Sequence, residues 1–210
     1  MLTESQKAKL AEYKSMSAPA SQAAERLGKL FDDGMYTVID AAVKSGEGVI
    51  AAYGYVDGSP VYAFSQDSSV NGGAVNKAHA AKICKVCDLA SRNGIPVVGI
   101  YDSNGAAVAD GAEALAAYSD MLMWTNNLSG VVPQIAVIAG VCTGSSALIA
   151  CSADVVVASE KAEIYLSANG GKNGADAAKA GTVSVLAKDD AEAVEKARKI
   201  ISMLPANNIS

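Results

Sequence analysis

Residues 139–159, AGVCTGSSALIACSADVVVAS, decide the fold class. They run from the end of an apolar strand, through a tight turn, into a helix of small residues and then into a second apolar strand. Strand, turn, helix and strand in this order are typical of α/β proteins, whose parallel strands are buried on both faces. Gly140, Gly144, Ser145 and Ser146 lie where the first strand ends. Glycines there let backbone amides approach whatever occupies the edge of the sheet.

The same alternation extends to both sides of this stretch. Continuous apolar runs predict buried strands at IPVVGIYD, PQIAVIAG, DVVVAS and GTVSVLA, with a further strand at AEIYLS. Helical segments separate most of them, namely AEALAAYSDMLMWTNNL, GSSALIACS and DAEAVEKARKIISML. The pattern predicts an α/β layer architecture with right-handed crossovers. ANGGKNGADAAKAG is predicted to be the one loose segment.

The first half of the chain carries further local signals. MYTVID is a strand candidate, and two apolar β-rich segments flank Asp57-Gly58, a strong hairpin signal. AVNKAHAAKICKVCDLASRNG has helical apolar spacing and a stop at Gly94. Before these, two helices are predicted, the second capped by Ser17 and stopped at Gly34.

Composition places these elements in one domain. The chain has 210 residues, 50% hydrophobic and 19% charged, which fits a single domain over residues 1–210 with an N-terminal helical segment at about 1–33. A net charge of -5 argues against a general nucleic-acid or membrane-surface binder. Since no apolar window approaches a membrane span or an export signal, we expect a cytoplasmic protein with reduced cysteines.

Few side chains offer chemistry by themselves. His79 is the only histidine, so a metal site built on a histidine cluster is excluded, and helix packing is favoured over catalysis. Cys84 and Cys87 form a C-x-x-C pair in mid-helix with no second pair at zinc spacing, which favours structural thiols. Cys142 and Cys151 fit core packing equally well. No metal is expected in this chain.

Two turns are more informative: DSNGAAVADG, residues 102–111, and VCTGSSA, residues 141–147. Each follows a buried strand, contains glycine and precedes a helix, so two sets of backbone N–H groups would face one crevice. Such turns can hold one oxyanion, although glycine also simply permits tight turns. Neither turn is a phosphate loop, and a nucleophilic Ser145 or Ser146 would lack a nearby histidine base.

Several segments together resemble a known family. They are DDGMYTVID, YGYVDGSPVYAFSQDSSVNGGAVNKAHAAKICKVCDLA, GIPVVGIYDSNGA, VPQIAVIAGVCTGSSA, AEIYLS and LAKDDAEAVEKARKIISMLPANN. In unbroken order from about Ser21 onward, they resemble the N-terminal half of the carboxyltransferase component of biotin-dependent acyl-CoA carboxylases and decarboxylases, such as propionyl-CoA carboxylase and methylmalonyl-CoA decarboxylase.

The resemblance implies a ClpP/crotonase-like fold, a spiral of ββα units, that binds an acyl-CoA. The implied reaction moves a carboxyl group between biotin N1 and the α-carbon of the acyl-CoA. Negative charge develops on the thioester oxygen as the enolate forms, and preorganised backbone donors stabilise it. Biotin itself is implied to carry the proton, which agrees with the lack of an obvious acid or base in the chain.

By position, SNGA matches the family's Ser-Gly-Gly-Ala-Arg turn and CTGSS matches its Cys-Ala-Gly-Gly-Ala turn. The implied oxyanion donors are the N–H groups of Gly105 or Ala106, and of Gly144 or Ser145. NGGA matches a Gly-Gly-Ser turn near the CoA entrance. The implied CoA contacts there are Gly72, Gly73 and Ala74.

This chain also departs from the family pattern. Asn104 replaces a glycine, Ala107 replaces an arginine, and Ser145 replaces the second glycine of the second turn, which would impair a donor that needs a positive φ. A longer helical segment with a Thr-Gly-Glu signature is expected between AEIYLS and GTVSVLA, but only ANGGKNGADAAKA is present. Part of the acyl-CoA pocket wall is therefore expected to be missing or rebuilt.

The family's second half, which supplies the biotin side of the site, has no counterpart here. The expected partners are a C-type carboxyltransferase subunit and a biotin carboxyl carrier protein, in a hetero-oligomer or homo-oligomer, with a membrane involved only through a decarboxylase pump partner. Two alternatives stay open. One is a degenerate structural or assembly subunit, and the other is a hydratase or thioesterase of crotonase type, for which a Glu pair or an Asp/His pair is missing.

Overall fold

The computed structural model describes residues 21–40, 47–167 and 169–210. Within them lie strands of one sheet: β1 (Tyr36–Val38), β2 (Val49–Val56), β3 (Ser59–Gln66), β4 (Val97–Ser103), β5 (Gln134–Thr143), β6 (Val155–Ser159), β7 (Glu163–Tyr165), β8 (Lys172–Asn173) and β9 (Val185–Ala187). The helices are α1 (Gln22–Leu30), α2 (Lys77–Asn93), α3 (Ala112–Leu128), α4 (Ser145–Cys151), α5 (Gly174–Lys179) and α6 (Asp190–Met203). The α/β prediction is confirmed.

The sheet is antiparallel at one side and parallel through its centre. Its strand order is β1-β2-β3-β4-β5-β6-β9, with β1 to β3 antiparallel and β3 to β9 parallel. The first part of β5 pairs with β6, and its last residues pair instead with β7. The short strand β8 runs antiparallel to β7. The parallel strands therefore end together at one edge of the sheet, where the two glycine turns lie.

Two apolar cores form, one on each face of the sheet. The first contains α1 and α6, whose buried residues include Leu27, Leu30 and Ile201. Burying each such side chain stabilises the fold by about 1.5–3 kcal/mol. The second core contains α2 to α5 and the large residues Phe64 and Met121. Because both faces are covered, β4 and β5 are apolar along almost their whole length, as the sequence indicated.

The hairpin and the end of the long helix form where the sequence predicted them. Asp57 and Gly58 connect β2 to β3, and both have positive φ, 49° and 76°, as the tightest hairpin turns require. Gly94 ends α2 in the left-handed conformation, with φ 64°. Gly58 and Gly94 both adopt a positive φ, a local backbone requirement. The turn and the helix end could therefore be predicted from neighbouring residues alone.

Two predictions at less regular places need correction. The second N-terminal helix begins after Ser21, whose side chain accepts a hydrogen bond from the Ala24 amide, so Ser17 is not its cap. The segment predicted to be loose contains β8 and α5, with Asn173 capping α5 through the Asp176 amide. The predicted helix before Ser17 lies outside the described residues.

Candidate active site

The two glycine turns adjoin at the ends of neighbouring strands. Ser103, at the end of β4, is paired with Cys142 of β5. Gly105 lies against the Thr143 side chain so closely that a Cβ on Gly105 would come 2.6 Å from Thr143 Oγ1. Glycine at position 105 therefore permits the close approach of the first turn to the second.

In the first turn, the Ala106 amide is left without a partner among the described residues. The Gly105 amide donates to Ser103 Oγ at 3.1 Å, and the Ala107 amide donates to the Val75 carbonyl at 2.9 Å. Between them, the exposed Ala106 has no hydrogen bond from its amide to any residue that the structure describes. Of the two predicted donors in this turn, Gly105 is thus already engaged and Ala106 remains.

The second turn repeats this arrangement. Gly144 has a positive φ of 57°, and its amide donates to the Tyr165 carbonyl of β7 at 2.7 Å. Ser145 is the first residue of α4, where a helix leaves its amides unpaired, and within the described ranges its amide has no acceptor. Ser145 is absent from the residues with positive φ, so Gly144 supplies the unusual conformation and the serine is not strained.

These bonds narrow the set of predicted donors. Gly105 and Gly144 stay important as the residues that let the chain turn, but the protein's own acceptors occupy their amides. Of the four predicted donors, the amides of Ala106 and Ser145 are the ones without an internal acceptor among the described residues. The amides of Ser146 and Ala147 in the first turn of α4 likewise have none. The sequence could not distinguish Gly144 from Ser145 because the Tyr165 carbonyl reaches the Gly144 amide only in the fold. Ser103 Oγ, two residues before Gly105, is a local acceptor that was not recognised.

The predicted CoA-contacting turn, Asn71–Gly73, packs against the first turn. A Cβ on Gly73 would meet the Asp102 carbonyl at 2.3 Å, and one on Gly72 would meet Asn104 Nδ2 at 2.5 Å. The amides of Gly73 and Ala74 donate within the turn itself. The Asp102 carbonyl leaves no room for a side chain at Gly73, and the positive φ of Gly72, 66°, favours glycine there. The contact of Gly72, Gly73 and Ala74 with CoA stays a prediction.

A buried ion pair that the sequence analysis missed anchors the end of β4. Arg26 of α1 donates from Nη1 to Asp102 Oδ2 at 2.8 Å and from Nη2 to Asp190 Oδ2 at 2.7 Å, while Ser68 Oγ donates to the same Asp102 oxygen. Side-chain exposure of Arg26 and Asp102 is only 8% and 7%. Gly140 leaves room for this carboxylate, since a Cβ there would lie 2.3 Å from Asp102 Oδ1.

A signal for this pair was present in the sequence. Arg26 shares the buried face of α1 with Ala23, Leu27 and Leu30, at helical spacings of three and four residues. An arginine on an apolar helix face needs a buried partner. Only the fold identifies that partner as Asp102.

His79 is buried and neutral. Its Nε2 lies 3.1 Å from Gln66 Nε2, and Gln66 is oriented by its Oε1, which accepts the Asp102 amide. Burial lowers the pKa of His79 to about 4. This surrounding favours the packing role over acid-base catalysis at neutral pH.

The cysteine thiols are also poor nucleophiles, because burial keeps them protonated. Burial raises the pKa of Cys84 to about 11 and that of Cys87 to about 12, and it raises the pKa of Cys142 and Cys151 as well. In the part of the chain that the structure describes, no group of three or more His, Cys, Asp or Glu residues could hold a metal ion. In those residues, too, no helix combines the length and apolar character needed to cross a membrane.

An α/β sheet whose parallel strands end in two adjoining turns with unpaired amides is the architecture of a crotonase-like protein. The Carboxyl transferase domain family matches residues 21–210, and the chain belongs to that family. It is 34% identical over 216 residues to methylmalonyl-CoA decarboxylase subunit alpha of Propionigenium modestum. It is 33% identical over 216 residues to the propionyl-CoA carboxylase beta chain of Roseobacter denitrificans.

Both alignments cover 89% of this chain and 42% of the relative, so the chain spans less than half the length of these proteins. Among solved structures, the transcarboxylase 12S hexamer with hydrolysed methylmalonyl-coenzyme A bound matches with a TM-score of 0.88 and 29% identity. That match covers 100% of this chain and 49% of the other. The resemblance found from the motifs and the crotonase-like fold are confirmed.

Proposed function

We propose that this chain is the acyl-CoA-binding subunit of a biotin-dependent carboxyltransferase. The observation that carries the proposal is the pair of unpaired amides, Ala106 and Ser145, at adjoining turns in a chain of the Carboxyl transferase domain family. The names of its relatives support an acyl-CoA as the substrate. The protein is further proposed to act in the cytoplasm.

The amides of Ala106 and Ser145 would receive the thioester oxygen of the substrate. When the α-carbon loses its proton or, in the reverse direction, its carboxyl group, negative charge moves to this oxygen and both hydrogen bonds strengthen. The two amides would hold the enolate oxygen while the α-carbon takes the carboxyl group. That group would come from N1 of biotin on a separate protein, and N1 would take up the α-proton in exchange. Backbone donors suffice on this chain, which fits its neutral, buried histidine.

Exposed apolar residues around the turns support a partner subunit. Val108 belongs to the first glycine turn, Leu115 lies near the start of α3, Leu148 lies on α4 and Leu166 follows Tyr165. They are 86%, 70%, 49% and 57% exposed. Large apolar side chains grouped on one surface commonly mark an interface. We propose that a C-type carboxyltransferase subunit covers this surface and that the carrier protein delivers biotin between the two subunits.

The test is reconstitution. The chain is co-expressed with a C-type subunit and a biotinylated carrier, and carboxyl transfer from methylmalonyl-CoA is measured together with CoA binding by calorimetry. We expect the chain alone to bind CoA and activity to require all three components. An assembled complex that shows no CoA binding and no carboxyl transfer would refute the proposed function.

A degenerate assembly subunit is the second candidate, and it is favoured by the occupied amides of Gly105 and Gly144. The variant Ser145→Gly separates the two functions. Since Ser145 already has ordinary helical geometry, an active site should gain less than about threefold in rate from glycine. A complex that assembles normally and is inactive both with serine and with glycine would identify a scaffold.

A further inference from the structure

The first glycine turn forms a short parallel bridge with Val75, a residue of the segment between β3 and α2. The Val75 amide donates to the Gly105 carbonyl at 2.8 Å, and the Ala107 amide donates to the Val75 carbonyl at 2.9 Å. Val75 is thus paired with Ala106, the residue between these two partners. In a parallel pairing of this kind, the central residue directs its own N–H and C=O away from the partner chain. The bridge therefore explains why the Ala106 amide is not used within the turn.

The strand order indicates which side the Ala106 amide faces. β4 lies between β3 and β5, and Val75 belongs to the chain that follows β3, so the bridge occupies the β3 side of the turn. The opposite side is that of β5, whose last residue, Thr143, lies against Gly105. Ser145 follows shortly after Thr143 as the first residue of α4. The bridge therefore directs the Ala106 N–H to the side that carries the Ser145 N–H.

The segment that contains Val75 is fixed to the body of the protein. The Val75 side chain is completely buried in the second core. The next residue, Asn76, caps α2 by accepting the His79 amide at 2.8 Å. A backbone tied both to a core side chain and to a helix cap opens less readily than a free loop. The bridge therefore restricts the movement of Ala106, which is itself exposed.

We infer that Val75 is a positioning residue whose backbone N–H and C=O set the direction of the Ala106 N–H relative to the Ser145 N–H. The kinetic consequence of this inference rests on the proposed function, in which both amides hold the thioester oxygen. Val75 acts through Ala106, because its own backbone groups are engaged in the bridge. A displacement of about 1 Å at a reacting centre can cost about a hundredfold in rate. Loosening the bridge should therefore slow the reaction more than it weakens substrate binding.

The variant Ala107→Pro removes one of the two hydrogen bonds of the bridge. Proline has no amide hydrogen, so the bond to the Val75 carbonyl is lost, and Ala107 already has a φ of -70°, which proline adopts. The matched control is Ala107→Ser, which keeps the amide hydrogen at the same partly exposed position. Both variants are assayed in the assembled complex with methylmalonyl-CoA, and thermal unfolding is followed in parallel.

We expect Ala107→Pro to lower kcat about 10- to 100-fold with KM within about threefold of wild type, because the bridge directs a donor that acts mainly in the transition state. Ala107→Ser should keep kcat and KM within about twofold of wild type, since the bridge stays intact. A kcat for Ala107→Pro within twofold of wild type would overturn the inference. An equal loss of kcat in Ala107→Ser would overturn it as well, because the lost hydrogen bond would then not be the cause.

Nuclear magnetic resonance of the chain by itself gives a readout independent of activity. The Ala106 N–H should have an order parameter of about 0.85 in wild type and in Ala107→Ser, and one below about 0.6 in Ala107→Pro. The Val75 amide should also exchange with solvent faster in Ala107→Pro than in Ala107→Ser. A mobile Ala106 N–H in wild type, or a rigid one in Ala107→Pro, overturns the positioning role whether or not the complex is active. An assembled wild-type complex without activity counts against the proposed function, while the order parameters still decide the positioning role.

Discussion

The variant Ser145→Pro removes one proposed oxyanion donor and little else. Proline has no amide hydrogen, and the first position of a helix is where it is best tolerated. Ser145 occupies that position in α4, is exposed, and makes no side-chain hydrogen bond within the described residues. The preceding Gly144, at φ 57° and ψ -125°, has the mirror image of the extended conformation that suits a residue before proline.

The expected magnitude follows from these facts. No intramolecular bond of the Ser145 amide is lost, so the free energy of unfolding should change by less than about 1 kcal/mol. Loss of one oxyanion donor raises the activation free energy by about 2.7–4 kcal/mol, which lowers kcat about 10²- to 10³-fold. Ser145→Ala keeps the amide and is the matched control, with kcat expected within about threefold of wild type.

The assay is carboxyl transfer from methylmalonyl-CoA by the assembled complex, with thermal unfolding measured on the same preparations. CoA affinity is determined separately by calorimetry, since the donor acts mainly in the transition state and binding should change little. Equal rates for Ser145→Pro and Ser145→Ala, in complexes of equal stability, would refute the assignment of the Ser145 amide as a donor.

Three further predictions concern the buried groups. Arg26→Gln leaves the Asp102 carboxylate buried without its cation. In urea, its free energy of unfolding should fall by about 3–5 kcal/mol, compared with less than about 1 kcal/mol for Arg92→Gln, which breaks an exposed ion pair. Equal losses in the two variants would contradict the reasoning. Burial lowers the pKa of His79 from 6.5 to about 4. Between pH 6.5 and about 4, the unfolded chain binds a proton that the folded chain does not. The free energy of unfolding should therefore fall by at most about 3 kcal/mol as the pH is lowered through this window. A His79→Gln variant should show a smaller slope of unfolding free energy against pH, and an unchanged slope would argue against this role of the histidine. Burial raises the pKa of the Cys87 thiol to about 12. Its labelling by a disulfide reagent at pH 7.5 should therefore be at least about a hundredfold slower in the native protein than in urea. Rapid labelling of the native protein would disprove the burial of Cys87.

The sequence located elements whose causes are local. The apolar runs of β4 and β5, the Asp57-Gly58 hairpin and the stop at Gly94 depend on neighbouring residues alone, and all lie where predicted. The N-terminal cap was misplaced because Ser17 and Ser21 offer the same chemistry four residues apart. The structure places the cap at Ser21, whose side chain accepts the Ala24 amide.

The site shows the limit of the same reasoning. Sequence patterns identified both turns, because glycine after a buried strand is visible in one dimension. They could not distinguish Gly144 from Ser145, because the acceptor of the Gly144 amide is the Tyr165 carbonyl of β7, which only tertiary structure brings there. The Arg26–Asp102 pair joins residues 76 positions apart and was missed for the same reason.

Through Arg26, helices near both ends of the described chain are connected to the turn after β4. Its guanidinium holds Asp102 with one nitrogen and Asp190, the first residue of α6, with the other. A truncation that stops before residue 190 therefore removes a carboxylate that orients Arg26, although the cut lies far along the chain from the two glycine turns. Deletions for crystallography or fusion should spare the last helix if the engineered protein is to keep its working geometry.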